Sequence, residues 1–178
     1  FDVTVEYAKA GFDDVLVRIS VVNRGPEAAD LHLLPTLWFR NTWDWDVGAP
    51  RPRLSAPEGV AGAAVIAAEH PSLGFYRLAA EGAPQLLFCE NVTNFPRVFG
   101  TSATTPFPKD GINDHVVGGR ADAVNPAKVG TKAAAHYVRE VPAQGHVVVR
   151  LRLVAEDAPR AAADPFADFD EAFAARRR

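Results

Sequence analysis

The stretch Phe1-Asp2-Val3-Thr4-Val5-Glu6-Tyr7-Ala8 decides the fold class. Phe1, Val3, Val5 and Tyr7 fall on one side, and Asp2, Thr4 and Glu6 on the other. Side chains of an extended strand alternate between two faces, so this is the pattern of a half-buried strand. It returns at Val15, Val17, Ile19 and Val21, with Arg18 and Ser20 opposite, and closes at the turn Asn23-Arg24-Gly25-Pro26. At the far end, residues 134–141 and 146–154 read as two strands joined by the hairpin loop Pro142-Ala143-Gln144-Gly145. Val147, Val149, Leu151 and Leu153 line one face of the last. Between these ends, residues 29–40 are apolar on both faces and read as a buried strand interrupted at Pro35, at a bulge or edge. Weaker strand signals follow at 63–69, 74–79 and 85–90, the last two separated by Glu81-Gly82-Ala83-Pro84. Many short strands punctuated by turns, with almost no helix, predict a mainly β protein built as an antiparallel β-sandwich.

Two insertions interrupt this rhythm. Residues 41–62 are rich in Trp, Pro and Gly, and residues 91–132 hold one expected helical turn near 110–117. Loops longer than about 12–15 residues are uncommon and tend to carry function or disorder. Residues 155–163, rich in Ala and Pro, read as a linker. A short C-terminal helix follows, with Asp164 as N-cap and Pro165 at the first position. Phe166, Phe169 and Phe173 share one face of it. That face is expected to pack on the domain's own sheet, the alternative being a neighbouring domain. The division is a sandwich over 1–156 and a linker and helix over 157–178.

The 178 residues suit one domain, and 48% apolar content supplies a core. A net charge of −3 offers no basic footprint for nucleic acid. Cys89 is the single cysteine, so no internal disulfide forms, which fits a reducing compartment and a cytoplasmic location. No segment has the length of a membrane span and no signal peptide is seen. The chain contains no methionine, opens inside a strand pattern and ends on Arg176, Arg177 and Arg178 inside a helical one. The expectation is a piece of a longer protein.

Candidate chemistry is sparse. Asp44 and Asp46 in Thr42-Trp43-Asp44-Trp45-Asp46 supply the residue types of a glycosidase site, but two loop carboxylates two residues apart have no fixed separation. Trp38, Trp43 and Trp45 offer flat rings for sugar faces, and equally for cores or interfaces. His32, His70, His115, His136 and His146 form no short-spaced metal pair, so no metal and no cofactor is expected. Asp110 and Asp114 share a face of the expected helical turn beside His115, with capping as the plainer role. Gly130-Thr131-Lys132 has the wrong surroundings for a phosphate loop. Asn91-Val92-Thr93 matches a glycosylation sequon, and no Gly-x-Ser-x-Gly elbow occurs.

Several segments taken in order carry a resemblance. They are Val5-Glu6-Tyr7-Ala8-Lys9, Asn23-Arg24-Gly25-Pro26-Glu27-Ala28-Ala29, and the run from Leu33 to Trp43. Lys109-Asp110-Gly111-Ile112-Asn113, Ala123-Val124-Asn125-Pro126 and the run from Gly130 to Tyr137 continue it through Phe169-Asp170-Glu171-Ala172-Phe173. Together they resemble the region before the catalytic barrel in bacterial proteins similar to glycoside hydrolase family 63, which are related to α-glucosidases and mannosylglycerate hydrolases. The resemblance implies an N-terminal β-sandwich of the supersandwich type, packed on an (α/α)6 catalytic domain of the same chain. In that family the catalytic acid and base lie in the barrel, so no catalytic residue transfers to this chain. Where the family reads Glu-Asn-Glu-Thr-Asn, this chain has Glu90-Asn91-Val92-Thr93-Asn94.

The resulting expectation is a non-catalytic accessory domain of a glycoside hydrolase that buttresses the barrel and shapes its rim. Trp43, Trp45, Asp110 and Asn113 are the expected substrate or interdomain contacts, and carbohydrate is a second partner. The alternatives are a carbohydrate-binding module, a structural or assembly domain, and last an independent enzyme.

Overall fold

The computed structural model describes residues 1–46, 48–60, 62–158 and 164–177. Its strands are β1 (Asp2–Gly11), β2 (Asp14–Val22), β3 (Ala29–Leu33), β4 (Thr36–Trp38), β5 (Arg53–Ser55), β6 (Ala63–His70), β7 (Gly74–Glu81), β8 (Gln85–Cys89), β9 (Val129–Gly130), β10 (Lys132–Val141) and β11 (His146–Ala155). The helices are α1 (Phe95–Phe99), α2 (Gly111–Val116) and α3 (Phe169–Arg176). Every ladder is antiparallel, and the protein is mainly β, as the alternating sequence predicts.

A large sheet has the order β1-β2-β11-β7-β6-β5-β9. In a smaller sheet, β3 and β4 lie end to end along one side of β10, and β8 lies along the other. Pro35 falls at the join of β3 and β4, and its carbonyl still accepts from the Ala135 amide at 3.0 Å. The chain crosses between sheets at Gly130 to Thr131. There a Cβ on Gly130 would stand 2.2 Å from the Cys89 carbonyl oxygen, so only glycine fits.

The core lies between the sheets. Ile19, Val21, Ile66, Leu78, Val149 and Leu151 meet Phe88, Ala133, Ala135 and Tyr137. The Tyr137 hydroxyl donates to the Glu81 carbonyl at 2.8 Å, which ties the smaller sheet to the end of β7. Each sheet also has a covered outer face. On the large sheet, Phe169 and Phe173 of α3 pack on Ala8 and Leu16. The phenylalanine face is therefore satisfied by the domain's own sheet. On the smaller sheet, Ile112 and Val124 of the second insertion pack on Leu87, Cys89 and Ala134.

Three expectations change. The apolar face of β1, read as that of a half-buried strand, leaves Phe1, Val3, Val5 and Tyr7 exposed, because the smaller sheet does not reach it. Residues 29–40 are not buried on both faces: Leu31, Leu33 and Leu37 turn inward, while Asp30, His32, Thr36 and Trp38 are exposed. The cause is their position along the free side of β10. The last helix begins at Phe169, not after Asp164. Asp164 instead accepts the Phe166 amide at 2.9 Å, a local turn. Residues 159–163 of the expected linker lie outside the described residues.

Candidate functional site

Both insertions depart from one end of the sandwich, and they are tied together by the segment that leaves β8, Glu90 to Asn94. The Glu90 carboxylate accepts from Arg51 at 2.9 Å and from the Thr131 hydroxyl at 2.7 Å. The Asn91 amide N–H donates to Thr131 Oγ1 at 2.8 Å, and its side-chain Nδ2 donates to the Phe39 carbonyl at 2.8 Å. Its carbonyl accepts from Asn41 at 3.2 Å, and Asn41 also donates to Asp44 at 2.7 Å. Thr131 is buried. Hence the Gly130-Thr131-Lys132 motif serves a sheet crossing, and the Asn91 side chain of the sequon is engaged within the fold.

Above this base stand the two tryptophans. The Trp43 ring lies under the Arg51 guanidinium at 5.4 Å and is half-buried. Its indole N–H is buried without a hydrogen-bond partner among the described residues. Trp45 is 70% exposed, with Arg40 over its ring at 5.3 Å. An exposed indole stacked with a guanidinium presents a flat, amphipathic surface to solvent.

The second insertion is ordered by charge. Asn94 caps α1, accepting the Arg97 amide at 3.2 Å, and Pro96 sits in the first turn. The Asn94 amide nitrogen donates to both Asp110 oxygens, at 3.1 and 3.0 Å. Arg97 bridges Asp110 and Asp114, reaching the latter at 2.7 Å, and Arg120 approaches Asp114 at 3.6 Å. The Arg97 guanidinium holds the Asp114 carboxyl below its ordinary range. Asn113 is exposed on α2, one residue from Asp114.

The four residues expected from sequence thus divide. Trp43 and Trp45 sit on the first insertion, Asp110 and Asn113 on the second, and the 90–94 segment joins the two groups. Glu90, Asn91, Asn94 and Thr131 lie in motifs visible in the sequence, but neither they nor Arg97 were anticipated as the link between the insertions. Only Asn94 had a readable signal of its role, a capping residue followed by Phe95-Pro96. Val92, which departs from the family pattern, is buried, and its carbonyl accepts the Lys109 amide at 2.9 Å.

Beside these ion pairs the insertion leaves apolar side chains exposed. Val98 and Phe99 of α1 are 57% and 62% exposed, and Val117 after α2 is 80% exposed. Among the described residues, no group of three or more His, Cys, Asp or Glu side chains is placed to hold a metal. No helix among them is long and apolar enough to cross a membrane.

Fold and site together define a β-sandwich whose elaborated end displays ordered, apolar-tipped loops. No family model matches the chain. It is similar to the uncharacterized protein YMR196W of Saccharomyces cerevisiae, with 27% identity over 178 residues that cover 85% of this chain. The chain spans 16% of that protein's length.

Proposed function

We propose that this chain is a non-catalytic accessory domain of a glycoside hydrolase, which buttresses an (α/α)6 catalytic domain of the same polypeptide and shapes its active-site rim. One observation carries the reading: the second insertion leaves large apolar side chains exposed on a base braced by ion pairs. Val98, Phe99 and Val117 are exposed beside the partly exposed ion pairs of Arg97 with Asp110 and Asp114, while Ile112 and Val124 anchor the insertion on the smaller sheet. A free surface loop gains nothing from that arrangement, whereas an interface needs an apolar patch on a rigid base. The resemblance to family 63 supplies the chemistry of the partner. The relative, of which this chain spans 16%, supports a place within a much longer protein. The free, buried Cys89 is in keeping with a cytoplasmic location.

The test compares the full-length protein and this domain on α-linked disaccharides and mannosylglycerate-like compounds. Hydrolysis by the full-length protein alone is expected. Phe99→Asp with Val117→Asp should then lower turnover about tenfold or more without unfolding the domain. Hydrolysis by the domain, or a full-length double variant with unchanged turnover and stability, would sink the proposal.

Trp45 favours a second reading, a carbohydrate-binding module, because it stands 70% exposed. Calorimetry with oligosaccharides decides it: heat that vanishes in Trp45→Ala supports a module, and no heat with any of them removes it.

A further inference from the structure

At the loop end the two sheets do not close on each other. Between them lies a cleft of ≈ 390 Å³, lined by Phe12, Leu37, Trp38, Phe39, Leu73 and Tyr76 among others. Phe12, in the β1–β2 turn, and Leu73, in the β6–β7 turn, form its rim and are 88% and 63% exposed. Turn tips are normally polar or small, so two large apolar side chains there need a reason.

The polar groups of the cleft are already committed. The Tyr76 hydroxyl donates to Asp13 at 2.8 Å. His70 Nδ1 accepts from the Ser72 and Leu73 amides at 3.2 and 3.3 Å, and its ring lies against Phe39. A hydroxyl-rich ligand would find few free donors and acceptors, whereas an apolar side chain would find matched walls. The mouth is negative. Asp13 lines the cleft itself, and Glu156 and Asp157 line the hollows that adjoin it at Asp13, where Glu156 pairs with Arg77 at 2.7 Å. Lys9 lies over the Phe12 ring at 5.4 Å. The hydrogen bond to Asp13, then burial, and then the charges of Asp13 and Asp157 push the Tyr76 phenol up. The cleft also adjoins the docking loops, since the Phe39 carbonyl accepts from Asn91.

We propose that this cleft receives an apolar side chain carried by a Lys- or Arg-bearing segment of the same, longer polypeptide. The proposal rests on the accessory-domain reading and names the partner segment by its chemistry. Charge complementarity selects the flanks, and tethering within one chain supplies a high effective concentration.

The test uses the full-length protein with a photoreactive probe, Phe12→p-benzoylphenylalanine, and mass spectrometry of the crosslinked peptide. The expected product is an intrachain crosslink to a segment with an apolar residue beside Lys or Arg. Asp157→Lys, alone or with Asp13→Lys, should lower its yield about fivefold. Both carboxylates are exposed, so the fold should tolerate the change. An interchain crosslink, a crosslink to an acidic or uncharged segment, or none would overturn the proposal. A second probe, Val117→p-benzoylphenylalanine, separates the two ideas. A crosslink from Val117 without one from Phe12 leaves the accessory reading standing and removes the cleft. Silence from both removes both.

Discussion

Arg152 lies in a strand among valines and leucines, yet it is 1% exposed. Its Nε donates to Asp14 at 2.7 Å, and its Nη1 reaches Asp168 at 2.7 Å and the Pro165 carbonyl at 3.0 Å. One guanidinium thus joins β2 and β11 to the start of α3, with the fork geometry that lysine lacks. Arg152→Ala would leave the buried Asp14 carboxylate without its counter-ion. The expected loss is about 3–5 kcal/mol, a large share of the roughly 5–15 kcal/mol of a typical domain. The urea midpoint checks it, and Asp14→Leu with Arg152→Met should recover much of the loss. His136 makes a pH-dependent contribution. Its Nε2 meets His32 Nδ1 at 2.9 Å, and its Nδ1 is buried without a partner among the described residues. Burial, then the neighbouring His32 and His115, lower its pKa. The unfolded chain therefore binds a proton that the folded one refuses. Stability is fully present above the unfolded value of about 6.5 and is lost as pH falls through the lowered folded value. His136→Gln should flatten the decline in Tm between about pH 7 and pH 5, and an unchanged slope would refute the assignment.

At the scale of the element, the sheet crossing at β9 and β10 is the tightest place in the fold. Gly130→Ala would press a methyl group onto the Cys89 backbone and should cost about 1–3 kcal/mol, read as a lower denaturant midpoint. The sequence hid that crossing for a physical reason. Alternation needs four or more residues to be seen, and β9 has two and β5 three. The longer strands β1, β2 and β11 announced themselves because each shows its period of two, whereas β6, β7 and β10 carry consecutive apolar residues and show it less. Arg152 was unreadable for the opposite reason: a charged residue on the alternate face of a strand reads as solvent-facing until a helix covers that face. Trp43, Trp45, Asp110 and Asn113 could be placed in the two insertions from the sequence. The base joining them was not, because contacts such as Glu90 to Thr131 span 41 residues. The second insertion offers its own check. Arg97→Ala removes the bridge between Asp110 and Asp114, so amide exchange over residues 95–120 should quicken while the sheets keep their protection.

For the whole molecule, the mismatch between the sheets matters most. Seven strands abreast span about 29 Å, while the smaller sheet, three strands abreast, spans about 10 Å. The smaller sheet cannot cover the larger, and β1 overhangs at the edge. Val3, Val5 and Tyr7 pair with Val21, Ile19 and Val17, so they share the inner face. Yet all three are exposed, as is Phe1 beside them. The clean alternation that defines the fold class thus marks an apolar face that stands open to solvent. A long edge strand with such a face is a template for association. The isolated domain is therefore expected to self-associate reversibly as concentration rises. Val5→Lys should suppress this in sedimentation velocity while changing stability by no more than about 0.5 kcal/mol, as befits an exposed position. In the full-length protein the same substitution tells where the stripe goes. Loss of stability there, with none in the domain, would mean that the stripe is covered within the longer chain. No change in either would mean that the overhang stays exposed to water and that docking rests on the loop end alone.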